Sequence, residues 1–110
     1  MKKEQSIGQQ VKKMLPNDEI IYDLAEVFKV FGDSTRTKIL SCLSLSNMNV
    51  GDIELACDMT LSAVSHQLRI LKNAKLIKCS KIGKEVIYFL DDKHVEMIME
   101  SGLLHLREED

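Results

Sequence analysis

The 110-residue sequence predicts a single mostly helical α+β domain: four helices, one β-hairpin and a terminal helix. Three observations carry this. Apolar residues recur at three- and four-residue intervals in segments between Asn17 and Leu71, the period of an amphipathic helix. From Leu76 the pattern changes to two β-rich runs around a glycine. A last helix then starts at Asp91–Asp92 and runs to about Arg107.

Residues 1–16 are expected to be a polar, flexible tail, and residues 17–108 the folded domain. Asn17 is a suitable N-cap, with Asp18 and Glu19 in the first turn to meet the helix dipole. Leu24, Val27, Phe28 and Phe31 follow at helical spacing, and Gly32 stops the helix. Asp33 or Ser34 caps the next, whose inward stripe is Ile39, Leu40 and Leu43. After a loop at Asn47–Asn49, a short helix over Val50–Cys57 carries Ile53 and Leu55 among its apolar positions. Asp58–Thr60 is a tight turn. Thr60 caps a helix whose apolar stripe is Leu61, Val64, Leu68 and Leu71. Ile77–Ser80 and Val86–Phe89 are strands joined through Lys81–Lys84, with Gly83 supplying the positive φ of a hairpin turn.

Composition excludes several classes. No apolar run approaches the roughly 18–20 residues of a membrane span. Met1–Gln10 lacks the apolar core of a secretory signal, so a cytoplasmic location is expected. Cys42, Cys57 and Cys79 are widely spaced and none forms a CxxC. They encode neither a disulfide framework nor a thiolate zinc knuckle, and are expected to be buried or idle.

The net charge of −2 conceals an uneven distribution. Thr60–Lys84 holds Arg69, Lys72, Lys75, Lys78, Lys81 and Lys84 and no acid, so it carries +6 against −8 for the remainder. A basic stripe on an acidic body is the electrostatic footprint of a DNA binder. Two short helices joined by a tight turn suit major-groove reading, and a hairpin after them would be a wing, so the fold expected is a winged helix-turn-helix. Ser62, Ser65, His66 and Gln67 offer donors and acceptors on the second of these helices. Arg69 and Lys72 suit phosphate or guanine, and Lys81 and Lys84 suit backbone contact near the wing tip.

The last helix carries Asp92, His94, His105 and Glu108, in a chain with only three histidines. These nitrogen and oxygen donors suit zinc, cobalt, nickel or cadmium. His94 and His105 are eleven residues apart, about 20° beyond three full turns, and so share a face. They are also roughly 16 Å apart along the axis, whereas ligands sit about 2 Å from a metal. One helix cannot bring both ends to one ion. Two antiparallel copies can, and two-fold symmetry then makes two identical sites. Asp92 and His94 do not share a helical face, but converge if Asp92 occupies the non-helical N-cap. Ile98 and Gly102 lie between the ends, where Gly102 would permit close approach of a second copy. An enzyme fits poorly: no nucleophile–base pair stands out, and four protein ligands leave zinc no open position.

The stretches FKVFGDSTRTKIL, LSAVSHQLRILKNAKLI and GKEVIYFLDD, with D-x-H-x10-H-x2-E at the end, resemble the ArsR/SmtB family of metal-responsive repressors over about Glu19–Glu108. The last pattern is similar to that of the subgroup that senses zinc through a site between protomers. The resemblance implies a homodimer joined through its terminal helices. Metal-free, it would bind double-stranded operator DNA, and zinc would release it. It also implies that His105 couples the two events, one ring nitrogen on the metal and the other on an acceptor at His66 of the recognition helix. A winged-helix regulator whose last helix only dimerises is the competing expectation.

Overall fold

The computed structural model describes residues 4–108. Its elements are α1 (Ile7–Met14), α2 (Asp18–Phe31), α3 (Ser34–Leu45), α4 (Val50–Cys57), α5 (Leu61–Asn73), β1 (Ile77–Ile82), β2 (Glu85–Leu90) and α6 (Lys93–Arg107). No helix among the described residues is long and apolar enough to cross a membrane.

Short polar side chains set the helix starts. Asn17, Asp33, Asn49, Thr60 and Asp92 each accept a backbone N–H of the first turn, which satisfies a donor the helix leaves orphaned. The ends of α4 and α5 share one device. Met59 N–H reaches Glu54 O at 3.1 Å, and Leu76 N–H reaches Leu71 O at 3.0 Å, each the long bond of a Schellman closure. That closure needs a left-handed residue, supplied by Asp58 at φ 55° and Lys75 at φ 62° rather than by glycine. Each closure therefore costs some backbone strain and fixes the direction of the segment that follows.

Helix α3 is the centre of the domain, with α2, α4, α5, α6 and β2 packed around it. Ile39, Leu40 and Leu43 of α3 meet Ile53 and Cys57 of α4, Val64, Leu68 and Leu71 of α5, Leu76, Ile77, and Val95 and Met99 of α6. Two expected core positions fall outside. Leu61 is 57% exposed and Leu55 82% exposed. Leu55 lies about 200° around α4 from buried Ile53, on the opposite face, and Leu61 sits at the open first turn of α5. Helix α2 divides likewise: Val27, Val30 and Phe31 pack on the core, while Leu24 and Phe28 stay exposed.

The hairpin is tighter than the sequence suggests. Lys81 and Ile82 pair with Val86 and Glu85, so the turn is Gly83–Lys84 alone. Gly83 has φ 65°, a conformation that an L side chain adopts only with strain. Met48 adds a bridge to Tyr88, with N–H···O distances of 3.1 and 2.8 Å, and ties the loop before α4 to the wing.

Helix α1 is an addition to the expected architecture, falling in the stretch read as a tail. Ser6 and Gln9 form a reciprocal capping box, at 2.9 and 3.2 Å, which starts the helix without tertiary support. Pro16 ends it by driving Leu15 into the extended region. No α1 residue is buried.

Candidate DNA-reading face and metal-ligand pairs

Helices α4 and α5 and the β1–β2 hairpin bring most of the predicted DNA-facing residues to exposed positions. Ser62, Ser65, His66, Arg69 and Lys72 are exposed on α5, Lys81 on β1 and Lys84 in the turn. Gln67 is the exception. It stands three residues after buried Val64, on the inward side of the stripe, and is half-buried. Its Oε1 lies 3.5 Å from Arg36 Nη1, while Arg36 Nε donates to Val30 O at 3.0 Å. Gln67 therefore has a contact on α3 besides the DNA-facing place expected of it, and through Arg36 it links α5 to the end of α2.

Two lysines of the basic stripe have partners within the chain. Lys78 Nζ lies 3.2 Å from Asp91 Oδ1, and Lys72 Nζ donates to Cys79 Sγ at 3.3 Å. Asn49 uses both ends of its amide: Oδ1 accepts Asp52 N–H at 2.8 Å to cap α4, and Nδ2 donates to Glu85 at 2.8 Å. It thereby holds the start of α4 against the first residue of β2. The Arg36–Gln67 and Asn49–Glu85 contacts give no signal in the sequence, because they join residues 31 and 36 apart.

The second set lies on α6. Asp92 is the N-cap, with extended backbone at φ −157° and ψ −179°. Its Oδ1 accepts His94 N–H at 2.8 Å and Val95 N–H at 3.2 Å. His94 Nδ1 comes within 3.5 Å of the same oxygen, so the non-helical cap does bring Asp92 and His94 together. The carboxyl is held below its ordinary value, chiefly by the Val95 N–H, with His94 contributing. At the other end His105 is exposed in the last turn and Glu108 is the C-cap, its N–H bonded to Leu104 O at 3.0 Å. Nothing within one chain joins the two pairs: among the described residues no three His, Cys, Asp or Glu side chains gather to hold an ion. Helix α6 packs on α3 and β2, and His66 is exposed on α5.

Asp92 therefore serves as a cap and as a candidate ligand, and two substitutions separate these roles. Asp92→Asn keeps a capping oxygen and should leave the thermal midpoint nearly unchanged, whereas Asp92→Ala should lower it. Because the folded carboxyl is held low, its stabilising effect is complete above the ordinary carboxylate range. It is lost as pH falls through the folded value, so the gap between wild type and Asp92→Ala should narrow in acid.

Residues 33–78, from the cap of α3 to the start of β1, match the family model described as bacterial regulatory protein, arsR family. Over 87 residues the chain is 44% identical to a cadmium resistance transcriptional regulatory protein CadC homolog of Staphylococcus aureus, covering 78% of this chain and 72% of that one. The chain belongs to the ArsR/SmtB family of metal-responsive transcriptional repressors. A second ArsR/SmtB relative, a transcriptional repressor SmtB homolog of Synechocystis, is 38% identical over 87 residues, covering 79% of this chain and 66% of its own length. The fold matches the homodimeric winged helix-turn-helix DNA-binding domain of a possible ArsR-family regulator from Mycobacterium bovis. The TM-score is 0.69 at 22% identity, over 86% of this chain and 97% of that one. In ArsR/SmtB terms, α4 and α5 are the helix-turn-helix and β1–β2 the wing.

Proposed function

We propose that this ArsR/SmtB protein binds operator DNA as a metal-free homodimer and is released when zinc or a similar divalent ion fills two sites between the subunits. The carrying observation is the split of α6 into two donor pairs. Asp92 and His94 sit together at one end, and His105 and Glu108 end the same helix. The roughly 16 Å between His94 and His105 prevents one chain from using both pairs on one ion. An antiparallel partner helix supplies the complement, giving two imidazoles and two carboxylates per site, a donor set suited to zinc.

The apolar surface favours such a partner. Ile20, Ile21, Leu24 and Phe28 of α2 and Ile98, Leu104 and Leu106 of α6 are exposed in the single chain. Between these helices runs a groove of about 240 Å³ lined by Phe28, Phe31, Ile98, Gly102 and Leu106 among others. Apolar surface of this extent marks an interaction site. A Cβ added at Gly102 would meet nothing within 4 Å, so this part of α6 is open to close approach by a partner.

On the DNA side, Ser62, Ser65, His66, Gln67 and Arg69 of α5 address the major groove, and Lys72, Lys81 and Lys84 address phosphates. Cadmium, cobalt and nickel are further effectors that the donor set accepts. His105 is the coupling residue, its second ring nitrogen reaching toward the backbone at His66 when the partner helix and ion are in place. Linkage requires DNA to weaken zinc binding by the factor zinc weakens DNA, a coupling of roughly 1–3 kcal/mol. The test is zinc stoichiometry together with operator affinity in the same sample. One zinc per chain with weakened DNA binding supports the proposal; an operator affinity unmoved by zinc leaves α6 as a dimerisation helix only. For the wing, Lys84→Ala should weaken binding to all sequences alike and reduce the salt slope of log K by about 1.8, one phosphate contact from each subunit of the dimer. An unchanged slope would remove Lys84 from the interface.

A further inference from the structure

Two thiols fifteen residues apart in sequence meet in the core. Cys42 lies on α3, Cys57 is the last residue of α4, and their sulfurs are 3.4 Å apart. A disulfide has S–S near 2.05 Å, so closure asks the sulfurs to approach by about 1.4 Å more. The two differ in access. Cys42 is half-buried, whereas Cys57 is 2% exposed. Cys79 is apart from this pair, on β1, where its sulfur accepts a hydrogen bond from Lys72.

The position of Cys57 matters as much as its neighbour. The next residue, Asp58, holds the left-handed conformation that closes α4. Met59 N–H completes that closure, and Thr60 caps α5. A shift of the Cys57 backbone therefore passes into a short turn with little slack and on to the helix that faces DNA. We propose that Cys42 and Cys57 are a redox-active pair, converted by hydroperoxides to an intrachain disulfide that ties α3 to the end of α4 and weakens operator binding. The operator effect rests on the proposed DNA-binding reading; the thiol chemistry does not.

The order of events follows from access. The Cys42 thiolate attacks a peroxide oxygen, the O–O bond breaks, and Cys42 becomes a sulfenic acid as water or an alcohol leaves. Cys57 sulfur then attacks Cys42 sulfur. The S–O bond breaks, and the hydroxyl leaves as water with the Cys57 proton. Two thiols lose two electrons and two protons, and the peroxide is reduced. Burial, and then the hydrogen bond with Cys42, push the Cys57 thiol up to about 11, while Lys38 acts in the opposite sense. Cys57 thus meets the oxidant less readily than Cys42, and as resolving thiol it gives up its proton to the departing hydroxyl as the S–S bond forms.

The test uses the reduced full-length protein treated with hydrogen peroxide. Thiol titration should fall from three to one, peptide mapping should link Cys42 to Cys57 with loss of two hydrogens, and dithiothreitol should restore both. Operator affinity should drop roughly fivefold or more on oxidation, the lower end of a typical coupling. Cys42→Ser, and Cys57→Ala as a second variant should the first not fold, should keep their affinity under the same treatment. Three titratable thiols after treatment, a bond through Cys79, or a Cys42–Cys57 bond that leaves affinity unchanged would each overturn the proposal. Reduced protein that binds no operator would instead sink the DNA-binding reading, while the thiol count still decides the pairing.

Discussion

His105→Gln is expected to weaken zinc binding by about a hundredfold or more and to leave DNA release incomplete even at saturating zinc. The first effect follows from losing a ligand, since residues that merely orient a ligand already cost 10–100-fold. A hundredfold is about 2.7 kcal/mol. The second effect is the informative one. Release needs the ion to favour one state of the dimer over the other, and an ion that binds both equally shifts nothing. If the second nitrogen of His105 carries that preference toward His66, a variant refilled with zinc still holds its operator. The check is operator affinity across a zinc titration that reaches saturation by a direct binding signal. Normal release at saturation would remove His105 from the coupling and leave it a ligand only.

Leu71→Ala is expected to cost 2–5 kcal/mol of folding stability, the range for a fully buried leucine, out of the roughly 5–15 kcal/mol a domain possesses. Leu71 is 0% exposed. It contributes twice: its side chain lies in the core, and its carbonyl accepts the Leu76 N–H that closes α5 and aims the chain into the wing. Leu61→Ala is the internal control, expected to change stability by about 0.5 kcal/mol or less because that side chain is exposed. Urea unfolding at one fixed protein concentration makes the comparison, since dimerisation shifts apparent stability. Similar losses for the two leucines would mean that Leu61 is covered by a surface outside the single chain.

Most of the fold was legible because its punctuation is local. Asn17, Thr60 and Asp92 announce helix starts by a side-chain oxygen that reaches only two or three residues ahead, and Gly83 announces the turn by a conformation other residues avoid. The same locality explains α1. Its signal was present as Ser6 and Gln9 in capping-box spacing, but a polar segment with no buried face reads as a tail when composition is weighed over pattern. What was not legible is set by distance. Leu61 fits the apolar stripe of α5, yet only the placement of α4 decides whether anything covers it. The contact of Gln67 with Arg36 and the approach of Cys42 to Cys57 join residues 31 and 15 apart in sequence, which no local pattern announces. The candidate metal-ligand pairs rest mostly on helix geometry, which puts His94 and His105 on one face and too far apart for one ion. Asp92 does occupy the non-helical cap, and that brings it to His94 although the two are only two residues apart.

That separation also provides the most direct test. One variant lacks the first pair, Asp92→Asn with His94→Ala; another lacks the second, His105→Ala with Glu108→Gln. Neither should bind zinc tightly as a homodimer. In a heterodimer of the two, isolated through different affinity tags, one site receives both intact pairs and the other receives neither. Sites built between subunits predict one tightly bound zinc per heterodimer. No zinc recovered in the heterodimer, with wild type loaded under the same conditions, would contradict an antiparallel α6 site.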